Sequence, residues 1–193
     1  MKIVYFHGFG SSGASGTVES LRRLLPDFEI VAPDIPVDPA EALPYLKEFV
    51  QQQQPDLIIG TSMGAMYAQQ MFGFRKILVN PAFNMSTMSK VMKAGKKYPF
   101  QNGRKDGAKD FMITGQIVKN FNQMERQQFK GITGFDLENT WGLFGTHDTS
   151  VNCYDLFRKH YSNAQRFEGE HSLNDKSLRQ AVLPLVRQIL HVI

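Results

Sequence analysis

Apolar positions along the chain fall into short runs that alternate with longer amphipathic stretches. KIVYF at Lys2–Phe6, EIVA at Glu29–Ala32, DLII at Asp56–Ile59, KILVN at Lys76–Asn80, WGLF at Trp141–Phe144 and QRFE at Gln165–Glu168 are each expected to be a buried strand. Between them, helical patterning is expected over roughly 16–25, 39–53, 63–72, 151–160 and 176–191. Asp38-Pro39-Ala40-Glu41 marks the start of the second helix, with a capping carboxylate, a proline at the first helical position and a glutamate able to reach back. Pro44 blurs that start. In the last helix Leu178, Val182, Leu185 and Ile189 share one face, and Pro184 is a kink point. Strands alternating with helices imply a mostly parallel six-stranded sheet with right-handed crossovers, whose ligand site lies at the carboxyl ends of the strands.

One segment breaks this rhythm. From Pro81 to Asn139 about 59 residues separate two strands, too many for an ordinary connection, so a cap or lid insertion over about 82–139 is expected. Met85, Met88 and Met92 are spaced as one helical face, followed by a loop over 96–108 and a second helical stretch near 110–129. The methionines can pack as core, or can form an adaptable apolar wall for an acyl group.

Composition narrows the class. At 193 residues with 42% hydrophobic and 21% charged residues, the chain supports one folded domain over 1–193 and is neither disordered nor repetitive. Its longest apolar runs are about five residues, so no membrane span is expected. The N-terminus lacks a signal-peptide pattern, and Cys153 is the single cysteine; both fit a cytoplasmic protein without disulfides or a cysteine-based zinc site. The net charge of +4 is local: residues 81–139 hold ten Lys/Arg and five Asp/Glu, and the remainder is nearly neutral. No dense basic stripe or RNA-binding motif accompanies it, which argues against nucleic acid as a partner. Lys90, Lys93, Lys96, Lys97, Arg104 and Lys105 crowd the first half of the insertion, where they could meet an anionic leaving group or simply form a solvated face.

The chemistry is concentrated in Gly60-Thr61-Ser62-Met63-Gly64, which follows the DLII run and precedes a helix. This is the setting of a nucleophile elbow, where flanking glycines permit a strained turn that lifts a serine hydroxyl above the sheet. A serine needs a base to take its proton and an acid to orient that base. Asp148 lies just past the fifth strand and His171 just past the sixth, in the order serine, acid, histidine. Asp136 precedes a strand and Asp155 lies inside a helix, so both are poorer acids. His7-Gly8-Phe9-Gly10-Ser11-Ser12 ends the first strand, where the backbone amide of Phe9, with that of Met63, can form an oxyanion hole. His7 itself is read as holding that loop. His147, His160 and His191 are read as surface or neighbouring residues.

The same loop, Gly8 to Gly13, also satisfies G-x-G-x-x-G, with Asp34 about twenty residues on, a dinucleotide-binding pattern. The polar run Ser11 to Gly16 delays the helix that a pyrophosphate would need, which disfavours that alternative. A catalytically inactive binding module is the other alternative.

Taken together, His7-Gly8-Phe9 with Ser11-Ser12, the elbow Gly60 to Gly64, Val79-Asn80-Pro81-Ala82, Gly145 with Asp148, and His171 resemble the α/β-hydrolases, specifically small bacterial YqiA-like esterases. The resemblance spans nearly the whole chain. It implies a three-layer α/β fold lacking the first two strands of the larger fold, with a helical cap. It implies Ser62 as nucleophile, Asp148 as acid and His171 as base, acting on a small-molecule ester or thioester without metal or organic cofactor. Ala65 after the elbow and Glu170 before the histidine depart from the family pattern.

Overall fold

Strands buried on both faces need apolar residues at odd and even positions alike, and the short runs supply them. In β1 (Lys2–Phe6), Ile3 and Tyr5 enter one hydrophobic core while Val4 and Phe6 enter the other. In β3 (Leu57–Thr61), Leu57 and Ile59 face one core and Ile58 the other; in β4 (Lys76–Val79), Ile77 and Val79 oppose Leu78. The computed structural model describes residues 1–88 and 90–192. Among these, six strands form one wholly parallel sheet in the order β2-β1-β3-β4-β7-β8, with β2 at Glu29–Val31, β7 at Thr140–Gly145 and β8 at Ala164–Phe167.

Helices cover both faces and make three layers. On one side α1 (Gly16–Leu24) buries Val18, Leu21 and Leu24. The C-terminal helix joins it there, built from α7 (Asp175–Ser177), a π-helical segment Leu178–Val182, and α8 (Leu183–Leu190). On the other side lie α2 (Pro39–Gln53), α3 (Met63–Gln69) and α6 (Tyr154–Arg158). Asp38 caps α2 as its sequence indicates, accepting from the Ala40 amide at 2.9 Å. The chain leaves β1 toward the sheet edge at β2 and returns to the opposite side of β1 as β3. That reversal opens a crevice at the carboxyl ends of β1 and β3.

Three regions differ from the periodicity. The expected C-terminal helix carries a π turn before Pro184, because proline offers no amide to the carbonyl one turn back and the preceding turn widens. The helix expected over 151–160 shortens to α6, since the residues ahead of it turn around Asp148. In the insertion, the expected methionine helix is reduced to one 3₁₀ turn, Met85–Thr87. The loop expected over 96–108 and the start of the helix expected near 110–129 are instead an antiparallel hairpin of β5 (Lys97–Pro99) and β6 (Asp110–Met112), and the helix itself is the shorter α4 (Gly115–Glu125). The hairpin exists because its aromatics find a partner far away in sequence. Phe9 packs edge-on against Tyr98 and Phe111, at 5.7 and 5.1 Å between ring centres. Helix α5 (Gly134–Asn139) closes the insertion, capped by Thr133.

Candidate active site

Ser62 sits between β3 and α3 at φ 54°, ψ −120°, a backbone conformation that L-residues rarely adopt and that persists only when the surroundings impose it. The glycines around it supply the space. A Cβ on Gly64 would lie 2.2 Å from the Phe6 carbonyl oxygen, and one on Gly60 would lie 2.6 Å from the Gly64 carbonyl oxygen. The turn therefore presses against β1, and the serine side chain is left projecting from the sheet end. Its Oγ lies 3.0 Å from His171 Nε2. His171 Nδ1 lies 2.7 Å from Asp148 Oδ2. The other Asp148 oxygen accepts the Ser150 and Val151 amides at 2.8 and 3.0 Å, so the carboxylate, 4% exposed, is held at both ends. The three residues that the sequence places on separate loops thus lie in one hydrogen-bonded line.

The loop after β1 is held just as firmly. The Ile35 amide donates to His7 Nε2 at 3.0 Å, so the ring proton lies on Nδ1, which donates to the Gly8 carbonyl at 2.8 Å. The Ser11 amide donates to the same carbonyl. In a trans peptide the following N–H points the opposite way, so these bonds set the direction of the Phe9 amide. Among the described residues, neither the Phe9 nor the Met63 amide donates to a protein acceptor. The hairpin clamps the loop from outside: the Gln101 amide donates to the Gly10 carbonyl at 2.7 Å and Ser12 Oγ donates to the Gly103 carbonyl at 2.8 Å.

Burial pushes the His7 imidazole down from 6.5 to about 4. Above pH 6.5 neither folded nor unfolded chain protonates it. Between 6.5 and about 4 the unfolded chain takes up a proton that the folded one refuses. Stability contributed by the neutral ring is therefore lost on acidification across that window, by about 3 kcal/mol in total. Urea unfolding across this range should show a steeper loss in the wild type than in His7→Gln; parallel profiles would mean that His7 titrates normally.

Sequence reading assigned no role to Asn80, which lies at left-handed φ 44° just after β4. Its Oδ1 accepts the Gly145 amide at 2.8 Å, and its Nδ2 donates to the Glu170 and His171 carbonyls at 2.9 and 3.0 Å. One buried amide thereby ties the end of β7 to the histidine loop. Asparagine tolerates this φ better than most residues, and that preference was the available signal. The bond to position 170 uses the Glu170 backbone carbonyl and not its side chain.

A cavity of about 540 Å³ opens over Ser62 and His171. Phe9, Met85, Met88, Val91 and Leu173 give it apolar walls, while Ser11, Ser15, Thr17 and Thr61 give it a hydroxyl-rich side.

A family model described as an uncharacterised protein family, UPF0227, matches residues 2–133, more than half of the chain. The chain belongs to this family. Solved structures similar to this UPF0227 chain include proteins described as α/β-hydrolases. Est1E from Butyrivibrio proteoclasticus is 15% identical, with TM-score 0.70 over 98% of this chain and 88% of that one. The esterase domain of a Rhodothermus marinus protein is 16% identical, with TM-score 0.62 over 97% and 86%. A thioesterase domain from the curacin biosynthetic pathway is 14% identical, with TM-score 0.59 over 98% and 90%. The UPF0227 chain accordingly has the α/β-hydrolase fold.

Some of the other candidate residues of the UPF0227 chain are placed differently from the sequence reading. Met85 and Met88 line the cavity, but Met92 does not; without a continuing helix it turns into the core, 6% exposed. Three of the six cations singled out in the insertion are paired or stacked away from the cavity. Lys97 pairs with Asp110, Arg104 pairs with Asp106 and stacks on Phe100, and Lys96 lies over the Tyr98 ring. Lys90 alone of the six lines the cavity. Asp34, the acid of the dinucleotide pattern, accepts the Gly13 and Lys105 amides and is a loop tie. His147 pairs with Glu168 at the surface, and His160 stacks on Phe129. Cys153 is buried, and burial pushes its thiol up. Among the described residues no three His, Cys, Asp or Glu groups converge on a metal-holding position, and no helix is long and apolar enough to cross a membrane.

Proposed function

We propose that this chain is a serine hydrolase of carboxylic esters or thioesters that works through an acyl-enzyme on Ser62. The observation that carries this reading is the continuous line from Ser62 Oγ through His171 to Asp148, at 3.0 and 2.7 Å. Ser62 Oγ attacks the acyl carbonyl while His171 Nε2 takes its proton, and Asp148 holds the resulting imidazolium. The carbonyl oxygen, now negative, is received by the Phe9 and Met63 amides. The carbon–oxygen or carbon–sulfur bond then breaks as His171 returns the proton to the leaving group. Water, deprotonated by the same histidine, attacks the acyl-enzyme, releases the carboxylic acid and restores Ser62.

The names of the similar structures, esterases and a thioesterase, are in keeping with this reaction class. A fluorophosphonate probe tests it directly, because an activated serine displaces fluoride and keeps the phosphonyl group. Mass spectrometry is expected to find the adduct on the peptide carrying Ser62 and none in Ser62→Ala. Absence of labelling in the folded wild type would point instead to an inactive binding module.

A further inference from the structure

Of the five buried side-chain polar atoms that lack a hydrogen-bond partner among the described residues, only Ser15 Oγ belongs to a residue lining the Ser62 cavity. Ser15 is 6% exposed and is the N-cap of α1, the position where a serine hydroxyl ordinarily accepts an amide of the first turn. It makes no such bond. The Val18 and Glu19 amides donate to the Ser15 carbonyl instead, which leaves the hydroxyl of this cavity-lining residue without a partner. The Gly16 and Thr17 amides at the head of α1 likewise donate to no protein acceptor among the described residues. The neighbouring hydroxyls are committed elsewhere: Tyr5 is bonded to Thr61 at 2.8 Å and also interacts with Thr17.

Charge around the cavity points the same way. Its lining includes Lys90 and no aspartate or glutamate, and α1 is long enough, at nine residues, to present a positive dipole end. The nearest acid on α1, Glu19, is exposed. A buried donor without an acceptor, free first-turn amides and a cationic rim are the elements of an anion-binding site.

We propose that Ser15 Oγ and the Gly16 and Thr17 amides form an anion subsite of the Ser62 cavity, and that the substrate is an ester or thioester bearing a carboxylate. A helix end worth about half a charge, with one ammonium group, suits a monoanion better than a phosphate dianion. The proposal rests on Ser62 being the nucleophile.

Two substrate pairs test it with the full chain. 4-Nitrophenyl hemisuccinate against 4-nitrophenyl pentanoate places the carboxylate on the acyl side; 4-acetoxybenzoate against 4-acetoxybenzamide places it on the alcohol side. In at least one pair the carboxylate is expected to be favoured about tenfold or more in kcat/KM, as hydrogen bonds to a charged group allow. Ser15→Ala and Gly16→Pro should each remove most of that preference. Gly16→Pro is the sharper variant. It deletes one amide at the helix position that favours proline, after a residue already extended at φ −71°, ψ 154°, with open space around Gly16. Its Tm should hold or rise.

No preference in either pair, or a preference that survives both variants, overturns the subsite. Preferential hydrolysis of 4-acetoxyphenyl phosphate overturns the carboxylate assignment. Calorimetry of succinate with Ser62→Ala separates the subsite from the nucleophile, since it needs no turnover. Saturable binding lost on adding Ser15→Ala supports the subsite whatever the fate of the hydrolase reading, and absence of binding overturns it. Failure of the hydrolase reading itself shows as no turnover of the neutral esters and no labelling of Ser62.

Discussion

Ser62→Ala and His171→Ala are each expected to lower kcat on a short neutral aryl ester by about 10⁴-fold or more, and Asp148→Asn by about 10⁴-fold. The three groups act in one proton path, so the combined variant should be hardly worse than the single ones. An asparagine at position 148 could keep the Ser150 and Val151 amide bonds through its oxygen, while its NH₂ faced His171 Nδ1. That would favour the tautomer with its proton on Nε2, which cannot accept from Ser62. Catalysis left in these variants would come from the loop amides and from binding in the cavity. Steady-state kinetics alongside circular dichroism distinguishes this from unfolding. A folded Ser62→Ala that retains a tenth of the wild-type kcat would remove Ser62 from the mechanism.

The largest expected effect on stability lies away from the cavity, at Lys76 and Asp136. Both side chains are fully buried and 2.6 Å apart, with Lys76 Nζ also donating to the Met71 carbonyl. Burial alone would raise the Asp136 carboxyl, but donors from Lys76, Thr133 and Gly73 outweigh it and hold it below the usual range. Lys76→Met leaves that carboxylate buried without its counter-charge, which costs about 3–5 kcal/mol. In a chain of this size this corresponds to a fall in Tm of about 10 °C. Asp136→Leu should lose about 1 kcal/mol more, because Asp136 also completes the cap of α5 with Thr133. The double variant Lys76→Met/Asp136→Leu is expected to recover much of the loss, since no unpaired charge remains. Additive losses in thermal or urea unfolding would show that the two charges do not depend on one another.

The pattern of apolar residues by itself determined the six strands, their alternation with helices and the carboxyl-end location of the candidate site. Most of this follows from local periodicity: an interior strand covered on both faces is apolar nearly throughout and its covering helix carries one apolar stripe, whereas the edge strands β2 and β8 keep exposed polar positions. The elbow was legible for a related reason. Gly60 and Gly64 stand where the backbone passes too close to Gly64 and Phe6 carbonyls for any side chain, so the chemistry leaves a mark in the residue types. The convergence of Ser62, His171 and Asp148 was inferred from loop order, and the distances came from the fold.

What tertiary structure decided lies where distant segments meet. The hairpin of β5 and β6 forms against Phe9, about ninety residues earlier in the chain, and no window over 96–112 contains that partner. For the same reason the spacing of Met85, Met88 and Met92 misled: their helix gives way to a single turn, and only two of the three reach the cavity. Asn80 and Lys76 are ordinary polar letters at the ends of a strand in the sequence. Their roles, tying the histidine loop and neutralising Asp136, exist only once the sheet brings residues 65 and 60 positions apart into hydrogen-bond range. Ser15 is the same case in reverse. Its sequence position marks a helix cap, and only the folded surroundings show that its hydroxyl is not used as one.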